Sequence, residues 1–293
     1  MKHPSLTIAI PTYNRAKQLD RQLGWAVGAI ANRWDEVELI VSDNASSDET
    51  PEICQKWHAQ TGGHVRTIRQ SRNIGLIRNC LFCIGEATGD FVWTVSDDDI
   101  VLEGTLNWIL SKISSDTNDQ LTFLHLNGCM SNSQGIVFRQ YSYPFRDDQE
   151  SKPGRKLFET CVDFHEDWLL LITANAYRTI VAQEGIRCWP QVQNNLAFPL
   201  FLAGYAAAHG TMMLRSEVSL IDMVYYSRPN WLAIVNREVP EIYKQLANFG
   251  YTKAFIRRQI LRRLSFLAFI LRFPTDFLRA LPTYWSALHL PKR

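Results

Sequence analysis

Phe91-Val92-Trp93-Thr94-Val95-Ser96-Asp97-Asp98-Asp99 is the stretch on which the fold turns. Its first five residues are apolar or β-branched, a run of strand length without helical spacing. The run empties into three adjacent carboxylates, which repel one another and need a compensating charge. A strand apolar along its whole length suits a sheet covered on both faces, with the acidic cluster at its carboxyl end.

The same alternation of elements extends in both directions. Leu6–Ile10 is a short apolar run stopped by Pro11, Lys17–Ala31 has helical spacing, and Val37–Val41 is a second strand. Thr50 and Pro51 suit a helix start, Thr as the cap and Pro in the first turn, for a helix running to Gln60. Gly62 and Gly63 end it before a third strand, Val65–Ile68. Ile74–Ala87 is a helix closed by Gly89, Gly104–Ser115 another, and Leu121–Leu126 a fifth strand. Strands alternating with helices imply an α/β fold, a mostly parallel sheet flanked by helices. Ligands of such sheets bind at the carboxyl ends of the strands. Chemistry is therefore expected just after Ile10, Val41, Ile68 and Val95. From Asn127 to Asp167 the pattern weakens, and loops with short strands are expected to shape a second substrate site. Leu169–Thr173 reads as a strand, Ala197–Ala208 as a helix, Thr211–Val224 as one or two strands, and the chain from Pro240 onward as helical.

Apolar residues make up 46% of the 293 and charged residues 20%, so the chain can bury a core and is not compositionally disordered. A net charge of +2 points to no nucleic-acid partner. Cys54, Cys80, Cys83, Cys129, Cys161 and Cys188 are scattered, unlike the framework of a small disulfide-rich domain, so reduced thiols and a cytoplasmic location are expected. Cys80 and Cys83 lack a second ligand pair for zinc and read as small residues on a helix. The N-terminus shows no signal-peptide pattern, and no run approaches the ~20 apolar residues of a membrane span. No G-x-G-x-x-G follows a strand, and neither G-x-x-x-x-G-K-[ST] nor G-x-S-x-G appears. These absences argue against dinucleotide-binding dehydrogenases, P-loop NTPases and α/β-hydrolases.

Four polar clusters fall at the expected strand ends. Pro11-Thr12-Tyr13-Asn14-Arg15 follows the first strand. Asp43, after the second, is placed to accept hydrogen bonds from ribose hydroxyls, while Ser46, Ser47 and Asp48 suit a capped loop equally well. Asn73 and Arg78 lie where the chain enters a helix, and free N–H groups there favour anions; Arg78 can offer its charge to a diphosphate. In Asp97-Asp98-Asp99 the compensating charge is expected to be a divalent cation. Hard oxygen ligands suit Mg²⁺ or Mn²⁺, held by one or two carboxylates together with substrate phosphates.

These stretches resemble family 2 glycosyltransferases. Leu6 to Arg15 is similar to the family's opening strand, and Val41 to Thr50 to its second signature. Asn73-Ile74-Gly75 with Arg78-Asn79, then Gly89-Asp90-Phe91, then Asp97-Asp98-Asp99 follow in the family's order. The likeness covers residues 5 to 110. It implies a GT-A fold, a nucleoside-diphosphate sugar donor, inversion at the anomeric carbon, and a nucleotide pocket lined by Thr12, Tyr13, Arg15 and Asp43. It also implies that Asp98 faces the metal, with Asp97 and Asp99 beside it. The triple-Asp form is most similar to the branch containing abequosyltransferases and other surface-polysaccharide enzymes, many with lipid-linked acceptors. On this basis residues 1–126 form a nucleotide-sugar-binding half, 127–238 an acceptor half, and 239–293 a basic helical tail.

The second half departs from the family's pattern. Where many relatives carry an acidic pair that includes the general base, this chain has Gln193-Asn194-Asn195-Leu196. An amide cannot take the acceptor's proton. Asp163, Glu166 and Asp167 are the substitute candidates. Without an acid, a non-catalytic nucleotide-sugar-binding relative is the alternative. Arg228, in Tyr225-Tyr226-Ser227-Arg228-Pro229, is a candidate diphosphate clamp. Lys253, Arg257, Arg258, Arg262, Arg263, Arg272 and Arg279 punctuate an apolar tail that includes Phe255, Ile256, Ile260, Leu264, Leu267 and Leu271. A basic amphipathic helix of this kind is expected to touch anionic lipid, here the inner face of the plasma membrane.

Overall fold

The structure is a computed structural model, and it describes residues 3–132, 134–224, 234–262, 281, 284 and 285. The first half follows the expected alternation: β1 (Leu6–Thr12), α1 (Ala16–Ile30), β2 (Val37–Asp43), α2 (Thr50–Gln60), β3 (Val65–Arg69), α3 (Leu76–Glu86) and β4 (Phe91–Thr94). A two-residue β5 (Ile100–Val101) precedes α4 (Thr105–Ser115). The strands alternate faces. Leu6, Ile8 and Ile10 of β1 bury against the helices of one side, while Ala9 faces the other. Phe91 and Trp93 of β4 repeat this against Val92. The core therefore lies in two layers, one on each face of the sheet.

The second half is more regular than its sequence suggests. β6 runs from Leu121 to Asn132, past the expected end at Leu126. β7 (Val137–Gln140) and β8 (Gln149–Ser151) are short, as expected, but α5 (Arg155–Leu169) replaces the anticipated loops. Its turns are broken only at His165 (φ −147°, ψ 58°). Leu169–Thr173 is not a strand: it closes α5 and enters a 3-10 turn at Ile172–Ala174. Apolar runs this short carry no period that separates strand from helix. The strand begins only at β9 (Asn175–Arg178), followed by α6 (Thr179–Cys188), α7 (Phe198–Ala208) and a single 14-residue β10 (Thr211–Val224). Pro51 sits in the first turn of α2 as expected, but Thr50 does not cap it. Its hydroxyl instead accepts from Arg15 N at 3.2 Å.

The strands form one sheet in the order β3-β2-β1-β4-β9-β6-β10-β5, with β7 on β6 and β8 on β10. The long ladders β3-β2-β1-β4 and β6-β10 are parallel; β9 joins them antiparallel. Along β10 the register slips. Five steps from Arg215 to Leu220 face only two on β6, from Leu126 to Gly128. An odd number of inserted residues reverses the faces of a strand. Met212 and Leu214 accordingly pack in one core layer, and Leu220 in the other.

Two helices complete the described chain, α8 (Val239–Leu246) and α9 (Lys253–Leu261). Val239, Ile242, Tyr243, Leu246, Phe255, Ile256 and Ile260 join the same core layer as α5 and α7. The boundary expected after residue 238 thus separates no cores. The apolar side of α9 is buried, and Arg258 pairs with Asp163 at 2.7 Å, so over 253–262 the tail is packed on the domain rather than presented to lipid. The remaining tail residues, from Arg263 to Arg279, lie outside the described residues. No helix among the described residues is long and apolar enough to cross a membrane.

Candidate active site

Two loops at the carboxyl edge brace each other. Asn14, in the left-handed region at φ +52°, donates its N–H to Ser46 Oγ at 2.9 Å and accepts from Ser47 N at 2.7 Å. The Asp48 carboxylate accepts from Ala16 N and Thr50 N, both at 3.1 Å. Burial opposes its charge, yet those hydrogen bonds hold its pKa below the ordinary value. Ser46, Ser47 and Asp48 therefore belong to the capped loop. Asn44 extends the bracing, donating to Asn73 Oδ1 at 3.0 Å and accepting from Ile74 N at 2.8 Å. Asn73 Oδ1 also accepts from Gly75 N at 2.8 Å. Gly75, at φ +88°, then turns the chain into α3.

The acidic cluster sits beside this frame. Asp97 is buried, accepts from Thr12 Oγ1 at 2.7 Å, and lies 3.4 Å from Arg15 Nη1. The same Arg15 nitrogen pairs closely with Asp98, which also accepts from Ser96 Oγ. Arg21 donates to the Asp98 carbonyl at 2.7 Å. Asp99 accepts from Thr173 Oγ1, which ties the cluster to the turn before β9. Burial pushes the Asp97 carboxyl up to about 7, against the pull of Arg15 and Thr12. Arg15 and Arg21 thus offset that burial only in part, and a hard, multiply charged cation fits the all-oxygen donor set. Among the described residues no three acidic, His or Cys groups converge as a self-sufficient cage.

A cavity of about 660 Å³ opens over these groups. Pro11, Thr12, Tyr13, Arg15, Asn73, Asp97, Asp98 and Asp99 line it, as the sequence led one to expect. Asn44 adds the end of β2, and Gly75, Leu76 and Asn79 add the start of α3. Leu170, Leu171 and Ile172 enter from the end of α5, Leu196, Phe198 and Pro199 from the start of α7, and Asp222 and Met223 from β10. These last three groups were not singled out from the sequence. The available signal for Asp222 was one carboxylate inside the apolar run Val218-Ser219-Leu220-Ile221-Asp222-Met223-Val224.

Other expected site residues fall elsewhere. Asp43 is buried just behind the lining, accepts from Ser46 N at 2.9 Å, and lies 3.5 Å from Arg69. Arg78 is exposed outside the lining and donates to Asn194 at 3.3 Å. Arg228 lies outside the described residues. Asp163, Glu166 and Asp167 do not line the cavity. Asp163 binds Arg258 and Gln259 of α9, each at 2.7 Å. Glu166 accepts from Tyr243 of α8 and pairs with Arg262 at 3.1 Å. Asp167 pairs with Arg139 of β7 at 2.6 Å and accepts from Tyr141 at 3.0 Å. The helix that carries them turns all three toward neighbouring elements, where they hold α5 in place.

A parallel-led α/β sheet with an acidic cavity at its carboxyl edge places a candidate ligand site where such sheets carry theirs. Residues 7–162 match the family described as glycosyl transferase family 2, which is more than half of the 293 residues, and the chain belongs to that family. It is 30% identical over 127 residues to the abequosyltransferase RfbV of Salmonella typhimurium, a match covering 42% of this chain and 37% of that protein. It is 28% identical over 141 residues to the GalNAc(5)-diNAcBac-PP-undecaprenol beta-1,3-glucosyltransferase of Campylobacter jejuni, covering 47% of this chain and 42% of that protein. Each match spans less than half of the relative's own length. Among solved structures, S. aureus TarS 1-349 in complex with UDP-GlcNAc superposes with a TM-score of 0.69 at 16% identity, covering 98% of this chain and 81% of that one. The mannosyltransferase PcManGT from Pyrobaculum calidifontis, in complex with GDP-Man and Mn²⁺, gives 0.58 at 15% identity, covering 100% and 77%. At such identities the likeness carries the GT-A-type fold alone.

Proposed function

We propose that the protein transfers a sugar from a nucleoside-diphosphate sugar to a glycan or lipid-linked glycan in surface polysaccharide synthesis, with inversion at the anomeric carbon. The observation that carries this reading is the convergence of Thr12, Arg15 and Asp97–Asp99 on one cavity at the carboxyl ends of β1 and β4. Membership of glycosyl transferase family 2, and relatives named as an abequosyltransferase and as a glucosyltransferase of an undecaprenol-linked glycan, support it. Asp98, aided by Asp99, would hold Mn²⁺ or Mg²⁺, which when bound neutralises charge on the leaving diphosphate. Arg15, already within reach of Asp97 and Asp98, offers its guanidinium to the same phosphates. Asn44 and Asn73 fix the loop beside the nucleotide. The apolar side chains of Leu171, Ile172, Leu196 and Phe198 wall the remaining space and exclude water from the reacting centre. Positioning and charge neutralisation then supply most of the rate.

The test is thermal stability with UDP, GDP, CDP and dTDP, each with and without Mn²⁺. A nucleotide at 100 times its dissociation constant stabilises by about 2.7 kcal/mol, a shift of several degrees. One nucleotide is expected to act, and only with the cation. Stabilisation by none of the four would overturn the reading.

A further inference from the structure

The amides at Gln193, Asn194 and Asn195 leave the reaction without a proton acceptor at that position, and the α5 carboxylates are turned away from the cavity. The lining nevertheless contains a fourth acid. Beside Asp97, Asp98 and Asp99, only Asp222 among the described lining residues carries a carboxylate. The segment 225–233 that follows it contains neither Asp nor Glu. β10 pairs antiparallel with β5, Ile221 against Ile100, so the next position on each strand brings Asp222 alongside Asp99. Asp222 is buried, and it lies close enough to Tyr141 for its charge to act on that phenol. It is not gathered with the acidic cluster into a three-ligand cage.

Resting on the glycosyl-transfer reading above, we propose that Asp222 is the base that deprotonates the acceptor hydroxyl. The hydroxyl oxygen forms its bond to the anomeric carbon as its proton passes to the Asp222 carboxylate. The bond from that carbon to the diphosphate oxygen breaks, and its electron pair leaves with the nucleoside diphosphate. Asp97–Asp99 serve the leaving side, and Asp222 the incoming one. Two carboxylate sites with separate duties then account for an active centre with amides at 193–195; the Glu238 carboxylate beside them accepts from Leu196 N, pairs with Arg237 at 2.8 Å and does not line the cavity.

The test uses water as the acceptor, because it needs the same proton removal. Release of nucleoside diphosphate is followed with Mn²⁺ and UDP-, GDP-, CDP- and dTDP-sugars, for the wild type, Asp222→Asn and Asp222→Glu. Nucleotide-dependent melting shifts are recorded in parallel. The expected result for Asp222→Asn is an unchanged melting shift with turnover reduced by roughly 10²- to 10⁴-fold, the usual weight of general-base catalysis. Asp222→Glu should keep the shift and retain partial turnover. Wild-type turnover in Asp222→Asn overturns the proposal, and so does loss of the melting shift, which would make Asp222 a ligand of the donor or its cation. If Asp222→Asn does not fold, Asp222→Glu decides alone, and full turnover in it counts against the proposal. A wild type that neither shifts nor turns over would instead remove the glycosyl-transfer reading itself, and this assignment with it.

Discussion

The two halves of the sheet build their share of the cavity by different means. In the first half, β1, β2 and β4 each end in a polar loop, and the loops fasten to one another over short distances: Asn14 to Ser46 and Ser47, Thr12 to Asp97, Asn44 to Asn73. In the second half, the lining comes from the end of α5, the start of α7 and one position on β10. Each is set by packing against distant elements. Loop chemistry placed by parallel strands is robust to what happens elsewhere, whereas a site assembled from helix ends depends on every contact that seats the helices.

That contrast can be broken most directly at Asp98. Asp98→Ala should abolish cation-dependent stabilisation by nucleotide and lower turnover by on the order of 10³-fold, since several kcal/mol of charge stabilisation is lost. Its unliganded melting temperature should change little, because Asp98 is braced from Arg15 and Ser96 rather than bracing them. A large loss of stability with turnover preserved would make the cluster structural.

In the second half the largest effect expected is on stability, at His125. This residue is fully buried, with Nδ1 2.9 Å from Asn175 Oδ1 and 3.1 Å from Ala174 O, and Nε2 2.8 Å from Tyr143 Oη. Two acceptors at Nδ1 place the single proton there, and Nε2 accepts from the tyrosine. Burial depresses its pKa from 6.5 to about 4, against those hydrogen bonds. Between these values the unfolded chain binds a proton that the folded one does not. The His125 contribution should therefore be complete above pH 6.5 and fall by roughly 3 kcal/mol as pH drops toward 4, while the raised Asp97 carboxyl works in the opposite direction over the same range. The difference between urea melts of the wild type and His125→Gln across that range should isolate the His125 slope, and a difference independent of pH would refute it.

Gly128 tests the seating of α5. A Cβ there would overlap the Trp168 ring and the Leu220 carbonyl, and Trp168 already donates to Leu126 O at 2.7 Å. Gly128→Ala should cost about 1–3 kcal/mol, read as a fall of several degrees in Tm. It should also weaken nucleotide-dependent turnover through Leu170–Ile172. If activity is untouched at that cost, the end of α5 is not a working wall of the site.

The smallest effects are expected at Asp163 and Asp167. Both pairs are partly exposed, so Asp163→Asn and Asp167→Asn should each cost under about 1 kcal/mol. Turnover should stay within about threefold of the wild type. A 100-fold loss in either, with the fold intact, would return the search for the base to α5.

Much of the first half was legible because its signals are local. The strand period, Pro11, Gly75 and the acidic run after Val95 act within a few residues of themselves, and parallel strands bring such segments to one edge regardless of loop detail. Asp97–Asp99 and the Pro11–Arg15 loop, each expected at a strand end, line one cavity there. The acids of α5 were legible as a cluster but not by direction, since the mixed polar and apolar residues of 155–169, with a backbone break at His165, hide the helix that turns them.

By itself, the sequence determined that this is an α/β chain with polar clusters at the carboxyl ends of β1 and β4, because side-chain period and turn chemistry are properties of consecutive residues. Only the tertiary structure decided that α8 and the start of the basic tail belong to the core, that Asp163, Glu166 and Asp167 serve neighbouring helices and strands, and that Asp222 enters the cavity. The last depends on the three residues by which β10 outruns β6 between Arg215 and Leu220, an odd excess that reverses the strand's faces there. A register is set by the partner strand, and no residue of β10 alone records it.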